Sequence, residues 1–94
     1  MPSITLTISH AAGLHARPAA LFVKTAQAFP CTIKLQNLTS QKPLANAKSP
    51  LSVLTQGVNQ GQQILVEAEG EQAEAALAAL KQLVENNFGE GASH

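Results

Sequence analysis

The sequence has 94 residues, which is the length of one small domain, and no repeat or linker divides it. Hydrophobic residues make up 45% of the chain and aromatic residues only 3%, so the predicted core is aliphatic and rich in alanine. The formal net charge is zero and the six basic residues form no cluster. This charge pattern argues against nucleic acid and acidic lipid as partners.

The cysteine content and the apolar segments indicate the compartment. Cys31 is the only cysteine, which excludes an internal disulfide and fits a reducing environment. The chain opens with no secretory leader, and no apolar run approaches the ~18 residues of a membrane span. We therefore expect a cytoplasmic protein with no membrane insertion.

The first third of the chain predicts a strand followed by a helix. Ile4, Leu6 and Ile8 alternate with polar residues through Ser9, as in a half-buried strand. A helix is expected from Ala16 to about Ala28, because the Phe29-Pro30 pair that follows disfavours helical backbone. The apolar stripe of this helix consists of Ala19, Phe22, Val23 and Ala26.

The middle of the chain predicts two strands and a short helix. Alternation in 32–36 indicates the second strand, and the polar run 37–42, with Pro43 after it, indicates a hairpin connection. A short third strand is expected at 44–47, at the edge of the sheet because of the adjacent proline. Ser49-Pro50 then predicts an N-cap and first turn. The short helix, which Gly57 would end, carries Leu51, Val53 and Leu54.

The last third predicts a fourth strand and the strongest helix. Ile64, Val66 and Ala68 alternate with their neighbours until Gly70, and a helix is expected over 71–87. Its apolar face consists of Ala76, Leu77, Leu80, Leu83 and Val84. The order β-α-β-β-α-β-α predicts an α+β domain, an antiparallel sheet with helices on one face. We expect it to span 1–90, with a disordered tail over 91–94.

The segment Gly13-Leu14-His15-Ala16-Arg17-Pro18-Ala19-Ala20 carries the predicted chemistry. Pro18 is tolerated in a first helical turn, which makes His15 the expected N-cap, with the backbone N–H of Ala16 just behind it. Open amides and the helix dipole favour an anion there. Neutral imidazole is available near pH 7 and forms a labile bond to phosphorus, and Arg17 supplies a positive charge. The arrangement predicts a site that carries a phosphoryl group.

The same segment resembles the active-site signature of the HPr family, the histidine-containing phosphocarriers of the bacterial sugar phosphotransferase system. The resemblance runs from about Ile4 to Phe88. Other segments in the family's order are Ala47-Lys48-Ser49, Gln56-Gly57-Val58, Gln60-Gly61 and Ala68-Glu69-Gly70. The resemblance implies an open-faced β-sandwich with four antiparallel strands and three helices.

The resemblance also implies a mechanism and partners. His15 would accept phosphate on Nδ1 from the phosphohistidine of enzyme I, and would pass it to a histidine of an enzyme IIA domain. Arg17 would pair with the phosphoryl oxygens. The residues expected to line the docking surface are Ala16, Ala20, Lys24, Leu51 and Leu54. Such a protein is a carrier with a phosphohistidine intermediate rather than a free-standing enzyme; it needs no cofactor and is expected to be a monomer.

Ser49 matches the serine that an ATP-dependent kinase modifies in HPr of many Gram-positive bacteria. Phosphorylation would add about −1.5 to −2 charges at a helix start, whereas the simpler interpretation is an N-cap worth ~1 kcal/mol. Pro50 replaces the aliphatic residue usual in the family after this serine, which weakens the kinase interpretation. We therefore favour the cap.

Two further departures from the family bear on the donor and acceptor. Ala12 stands where many relatives carry a polar residue, and the 37–43 hairpin is slightly longer than in free-standing carriers. The ending 86–90 resembles HPr-like domains of multidomain phosphoryl-transfer proteins or of the nitrogen-related branch. Both the sugar branch and the nitrogen branch therefore stay open.

A second hypothesis is a regulatory module whose phosphorylation at His15 or Ser49 signals to a partner such as a transcription regulator. A purely structural domain would leave the His15–Arg17–Pro18 arrangement unexplained. The remaining histidines, His10 and His94, are expected to be an ordinary loop residue and a tail residue. With Cys31 expected to be buried or half-buried, no metal site is predicted.

Overall fold

The computed structural model describes residues 2–89, and its elements follow the predicted order. The strands are β1 (Ser3–Thr7), β2 (Thr32–Asn37), β3 (Ala45–Asn46) and β4 (Gln63–Glu69). The helices are α1 (Ala16–Gln27), α2 (Pro50–Thr55) and α3 (Ala73–Glu85), followed by a 3₁₀ turn (Asn87–Gly89). The predicted tail at 91–94, with His94, lies outside the described residues.

The four strands form one antiparallel sheet in the order β1-β4-β2-β3. β4 is central: Val66 pairs with Ile4 on one side and with Leu35 on the other. β3 lies at an edge, which confirms the position predicted from Pro43. Because side chains alternate along a strand, one face of the sheet is buried and the other is exposed.

The helices supply the other half of the core. α3 packs on β4, β1 and α1, while α2 packs on α1 and β3. The predicted inward stripe of α1 is confirmed, since Ala19, Phe22, Val23 and Ala26 are all buried. They join the sheet residues Leu6, Ile33, Leu35, Ile64, Val66 and Ala68. The predicted α+β class, an open antiparallel sheet with three helices, is confirmed.

The predicted end of β2 is wrong, because the hydrogen bonds of Asn37 keep this residue in the strand. Asn37 was expected to begin the hairpin connection, yet it ends β2 and is 0% exposed. Its backbone N–H donates to Gln56 Oε1 at 2.7 Å, and its side-chain amide donates to Gln56 O and Gln62 Oε1. A buried amide is stable only with such partners, and they come from residues 19 and 25 positions later.

Other boundaries shift by a few residues. β3 is Ala45–Asn46 rather than 44–47, and β1 ends at Thr7 although Ile8 is fully buried. α3 begins at Ala73 rather than at residue 71, because Gln72 has a left-handed backbone with φ +65°. It ends at Glu85 rather than near residue 87, since Asn87 and Phe88 also have positive φ. Among residues 2–89 no helix has the length and apolar character of a membrane span.

Candidate functional site

The loop before α1 is fixed by its close approach to residues 58 and 59. Gly13 has φ +66°, and a Cβ at this position would lie 2.4 Å from the carbonyl oxygen of Val58. The N–H of Leu14 donates to that same oxygen at 2.9 Å, and the Leu14 side chain is fully buried. Only glycine permits this contact, so Gly13 holds Leu14, and with it the next residue His15, close to a loop that is distant in sequence.

His15 is the N-cap residue of α1, as predicted, with extended backbone at φ −125° and ψ 167°. Its ring is half-buried and makes no side-chain cap hydrogen bond. Instead, Nε2 lies 3.2 Å from Oδ1 of Asn59. An amide oxygen is only an acceptor, so this contact requires the proton on Nε2 and leaves the lone pair of the neutral ring on Nδ1.

The first turn of α1 has a feature that the sequence did not predict. Ala16 has φ +50°, in the left-handed region, although it is neither glycine nor asparagine. The helical ladder then begins with the N–H of Ala19, which donates to the carbonyl of His15 at 3.4 Å. Since Pro18 has no N–H, the amides of Ala16 and Arg17 are the first-turn donors nearest to His15.

The predicted charged and docking residues lie on two neighbouring helices. Arg17, Ala20 and Lys24 are exposed on α1. On α2, which packs against α1, Leu51 is 72% exposed and Leu54 is 42% exposed, whereas Val53 is buried. Two leucine side chains this exposed on one short helix leave an apolar surface without an intramolecular partner.

Ser49 has the capping geometry that its sequence context predicts. Its side-chain oxygen accepts a hydrogen bond from the N–H of Ser52 at 3.3 Å, and Pro50 occupies the first turn of α2. Ser49 is half-buried, and its hydroxyl has a structural use because it caps α2. Regulatory phosphorylation of Ser49 stays a prediction.

His10 differs from its expectation as an ordinary loop residue. It is 8% exposed, and its Nδ1 accepts a hydrogen bond from the N–H of Ala12 at 3.0 Å. Its ring packs edge-to-face with the ring of Phe88, with 5.8 Å between the ring centroids. His10 thus shapes the loop that leads to Gly13. Cys31 is buried, as predicted. Within residues 2–89, no group of three His, Cys, Asp or Glu side chains is arranged to hold a metal ion.

Asn59 is a neighbour of His15 that the sequence did not predict. The two residues are 44 positions apart, and Asn59 lies in the loop between α2 and β4. The only signal was a turn segment rich in glycine and amide side chains, which is typical of many loops. Tertiary structure was needed to bring the two residues together.

Comparison with known proteins places this chain and its fold in a family. The family described as "PTS HPr component phosphorylation site" matches residues 2–86. The phosphocarrier protein HPr of Pseudomonas aeruginosa is 36% identical over 91 residues, which cover 97% of this chain and 99% of that protein. The crystal structure of an HPr from Thermoanaerobacter tengcongensis superposes with a TM-score of 0.89 at 42% identity, covering 96% of this chain and 98% of the other.

Longer proteins also contain a similar segment. The multiphosphoryl transfer protein of Haemophilus influenzae is 39% identical over 89 residues, which are 95% of this chain but 18% of that protein. The chain thus spans about a fifth of the multiphosphoryl transfer proteins that it matches. The family match nevertheless covers nearly the whole chain. The chain belongs to the HPr family, the phosphocarriers of the phosphotransferase system.

Proposed function

We propose that His15 is the phosphoryl acceptor of this carrier. It takes the group on Nδ1 from the phosphohistidine of enzyme I and passes it to a histidine of an enzyme IIA domain during phosphoenolpyruvate-dependent sugar uptake. The observation that carries this proposal is the ring of His15: it is half-exposed at the start of α1, and only its Nε2 is engaged by Asn59. The nucleophilic nitrogen is therefore the one directed away from that contact.

The surroundings of the His15 ring are suited to bind an anionic phosphoryl group with moderate free energy. The N-terminal end of α1 contributes roughly 0.3–1 kcal/mol to a bound anion. A hydrogen bond from the Arg17 guanidinium to a phosphoryl oxygen adds about 1.5–3 kcal/mol. Since ~1.4 kcal/mol corresponds to a factor of ten, these interactions favour binding without trapping the group. A carrier requires that balance.

The docking surface for both partners is the exposed face that α1 and α2 share. Leu51 and Leu54 supply its apolar part, and Ala20 and Lys24 supply the adjoining part of α1. A small residue at position 20 lets a partner approach closely, while Lys24 favours an acidic partner. We place this exchange in the cytoplasm and assign it to a monomer, because one face must serve donor and acceptor in turn.

The experiment that tests this function is labelling from radioactive phosphoenolpyruvate with purified enzyme I. We expect the native protein to acquire an acid-labile phosphoryl group, and His15→Ala to acquire none while it keeps the native circular dichroism spectrum. His10→Asn is the matched control, because its side-chain oxygen can replace Nδ1 as the acceptor for the Ala12 N–H. Labelling of His15→Ala would exclude His15 as the acceptor.

Arg17→Ala tests the charged part of the site. We expect transfer to slow by roughly 10–100-fold, the equivalent of the hydrogen bond to a charged group. Arg17→Lys keeps the positive charge but loses the planar guanidinium with its paired N–H donors. Its transfer rate should therefore lie between those of the native protein and Arg17→Ala. Equal rates for native protein and Arg17→Ala would contradict the role given to the guanidinium.

A further inference from the structure

Asn59 is the one side chain with a resolved hydrogen bond to the ring of His15 in the described part of the chain. Its Oδ1 lies 3.2 Å from Nε2, the ring nitrogen that is not the proposed nucleophile. An imidazole ring can rotate and can carry its proton on either nitrogen. A fixed acceptor at Nε2 restricts both freedoms at once.

The loop that carries Asn59 is itself well fixed. The Asn59 N–H donates to Gln62 Oε1 at 2.8 Å, and the same oxygen accepts from the buried amide of Asn37 at 3.2 Å. On the other side, the Val58 carbonyl accepts from Leu14 N–H, one residue before His15. The segments that carry His15 and Asn59 are therefore hydrogen-bonded to each other through their backbones, independently of the His15 ring.

We propose that Asn59 is a positioning residue for His15. This role rests on the proposed function above. The amide oxygen of Asn59 keeps the proton on Nε2, so that Nδ1 presents its lone pair toward the phosphoryl donor. It also limits the rotation of the ring, so that a larger share of encounters finds Nδ1 in the reactive direction.

The contact continues to act during the transfer step. The Nδ1 lone pair forms the new N–P bond, the N–P bond of the donor histidine breaks, and its electron pair returns to the donor ring. The Nε2 proton stays on His15, whose phosphorylated ring becomes a cation while the donor ring becomes neutral. A hydrogen bond from a cationic N–H is stronger than one from a neutral N–H, so Asn59 stabilises the phosphorylated state more than the free state.

The direct test is ¹⁵N NMR of the His15 ring at about pH 8.5, where a free imidazole is neutral. In the native protein we expect one tautomer, with Nε2 protonated, and a single ring rotamer. In Asn59→Ala we expect a second tautomer and averaged side-chain couplings. Asn59→Asp keeps an oxygen acceptor at the same place and should restore the single tautomer.

Transfer kinetics give the second readout. Loss of one hydrogen bond to the reacting ring should slow phosphoryl transfer to Asn59→Ala by about 2–10-fold. Gln60→Ala is the control from the same loop; its side chain contacts the Ser9 carbonyl, 3.2 Å away, and its rate should equal that of the native protein.

Two results would overturn the proposal. In the first, the His15 ring of Asn59→Ala keeps the native tautomer and rotamer, whatever the rate of transfer. Asn59 would then not determine the tautomer or the orientation of the ring. In the second, the ring becomes heterogeneous but transfer is unchanged, so the ring geometry does not limit the reaction. Failure of enzyme I to label the native protein is a different outcome, because it would contradict the proposed function while the NMR comparison still measured the contact.

Discussion

The starts of α1 and α2 are built from similar sequence elements but are completed differently. Each is preceded by a residue with extended backbone, His15 or Ser49, and each has a proline in its first turn. Ser49 closes its own helix by accepting from Ser52 N–H. His15 makes no such bond, and its ring instead contacts Asn59, 44 residues away. One helix start is satisfied locally, and the other remains accessible to a ligand.

An uncapped helix start is not sufficient to mark a functional site. The N-cap residue of α3, Gln72, also makes no side-chain cap bond, and nothing else at that end indicates chemistry. The start of α1 differs because a separate loop contacts the ring of His15, the residue that we propose as the nucleophile. In the proposed mechanism, the function of this end depends on the contact between His15 and Asn59 in addition to the helix dipole, which all three helices possess.

The largest expected disruption of the α1 start comes from Gly13→Ala. The new Cβ would lie 2.4 Å from the Val58 carbonyl oxygen, and φ +66° is unfavourable for alanine. The left-handed backbone and the overpacking together should lower the free energy of unfolding by about 2–4 kcal/mol. Urea denaturation measures this, and phosphoryl transfer should slow because His15 moves away from Asn59.

Gly61→Ala is the matched control for that substitution. Gly61 also has positive φ, +87°, but nothing lies within 4 Å of the Cβ it would acquire. It should therefore show only the backbone penalty, about 1–2 kcal/mol. Equal destabilisation by the two substitutions would show that the close approach of Gly13 to residues 58 and 59 is unimportant for stability.

Truncation of the N-cap side chains of α1 and α2 should have smaller effects on the unfolding free energy, and the two effects should differ. Ser49→Ala removes the hydrogen bond to Ser52 N–H and should lower the unfolding free energy by about 1 kcal/mol, with Ser49→Asp restoring most of it. His15→Ala removes no cap bond and only the exposed contact with Asn59, so it should change stability by less than about 0.5 kcal/mol. If His15→Ala proved the more destabilising, the distinction between a structural and a functional helix start would be lost. Thermal and urea unfolding of the variants provide the measurement.

Local sequence was sufficient where local rules determine the structure. The period of two in β4 and the apolar stripe of α1 correctly predicted which residues face the core, because burial follows directly from backbone periodicity. Ser49-Pro50 and Gly57 correctly bounded α2, since capping and left-handed termination involve residues only a few positions apart.

Long-range polar contacts were not predictable in this way. The buried position of Asn37 depends on partners at Gln56 and Gln62, and the ring of His15 depends on Asn59. An isolated asparagine in a sequence is typical of a turn, so only the folded chain shows that these two have other roles. The proposed site was thus predictable as a motif at His15 and Arg17, whereas the contact between Asn59 and the His15 ring was not.

The smallest of the expected backbone effects concerns Ala16, whose left-handed backbone distinguishes the start of α1 from that of α2. At φ +50° an alanine is strained where glycine is not, so Ala16→Gly should raise the unfolding free energy by about 0.5–1 kcal/mol. The same substitution at Ala20, an exposed position inside α1, should lower it by a similar amount, because glycine is unfavourable in ordinary helical backbone. Urea denaturation of the two variants should therefore give changes of opposite sign. Destabilisation by both would mean that Ala16 is ordinary helix in solution, and the first turn that follows His15 would then resemble that of α2 in its backbone.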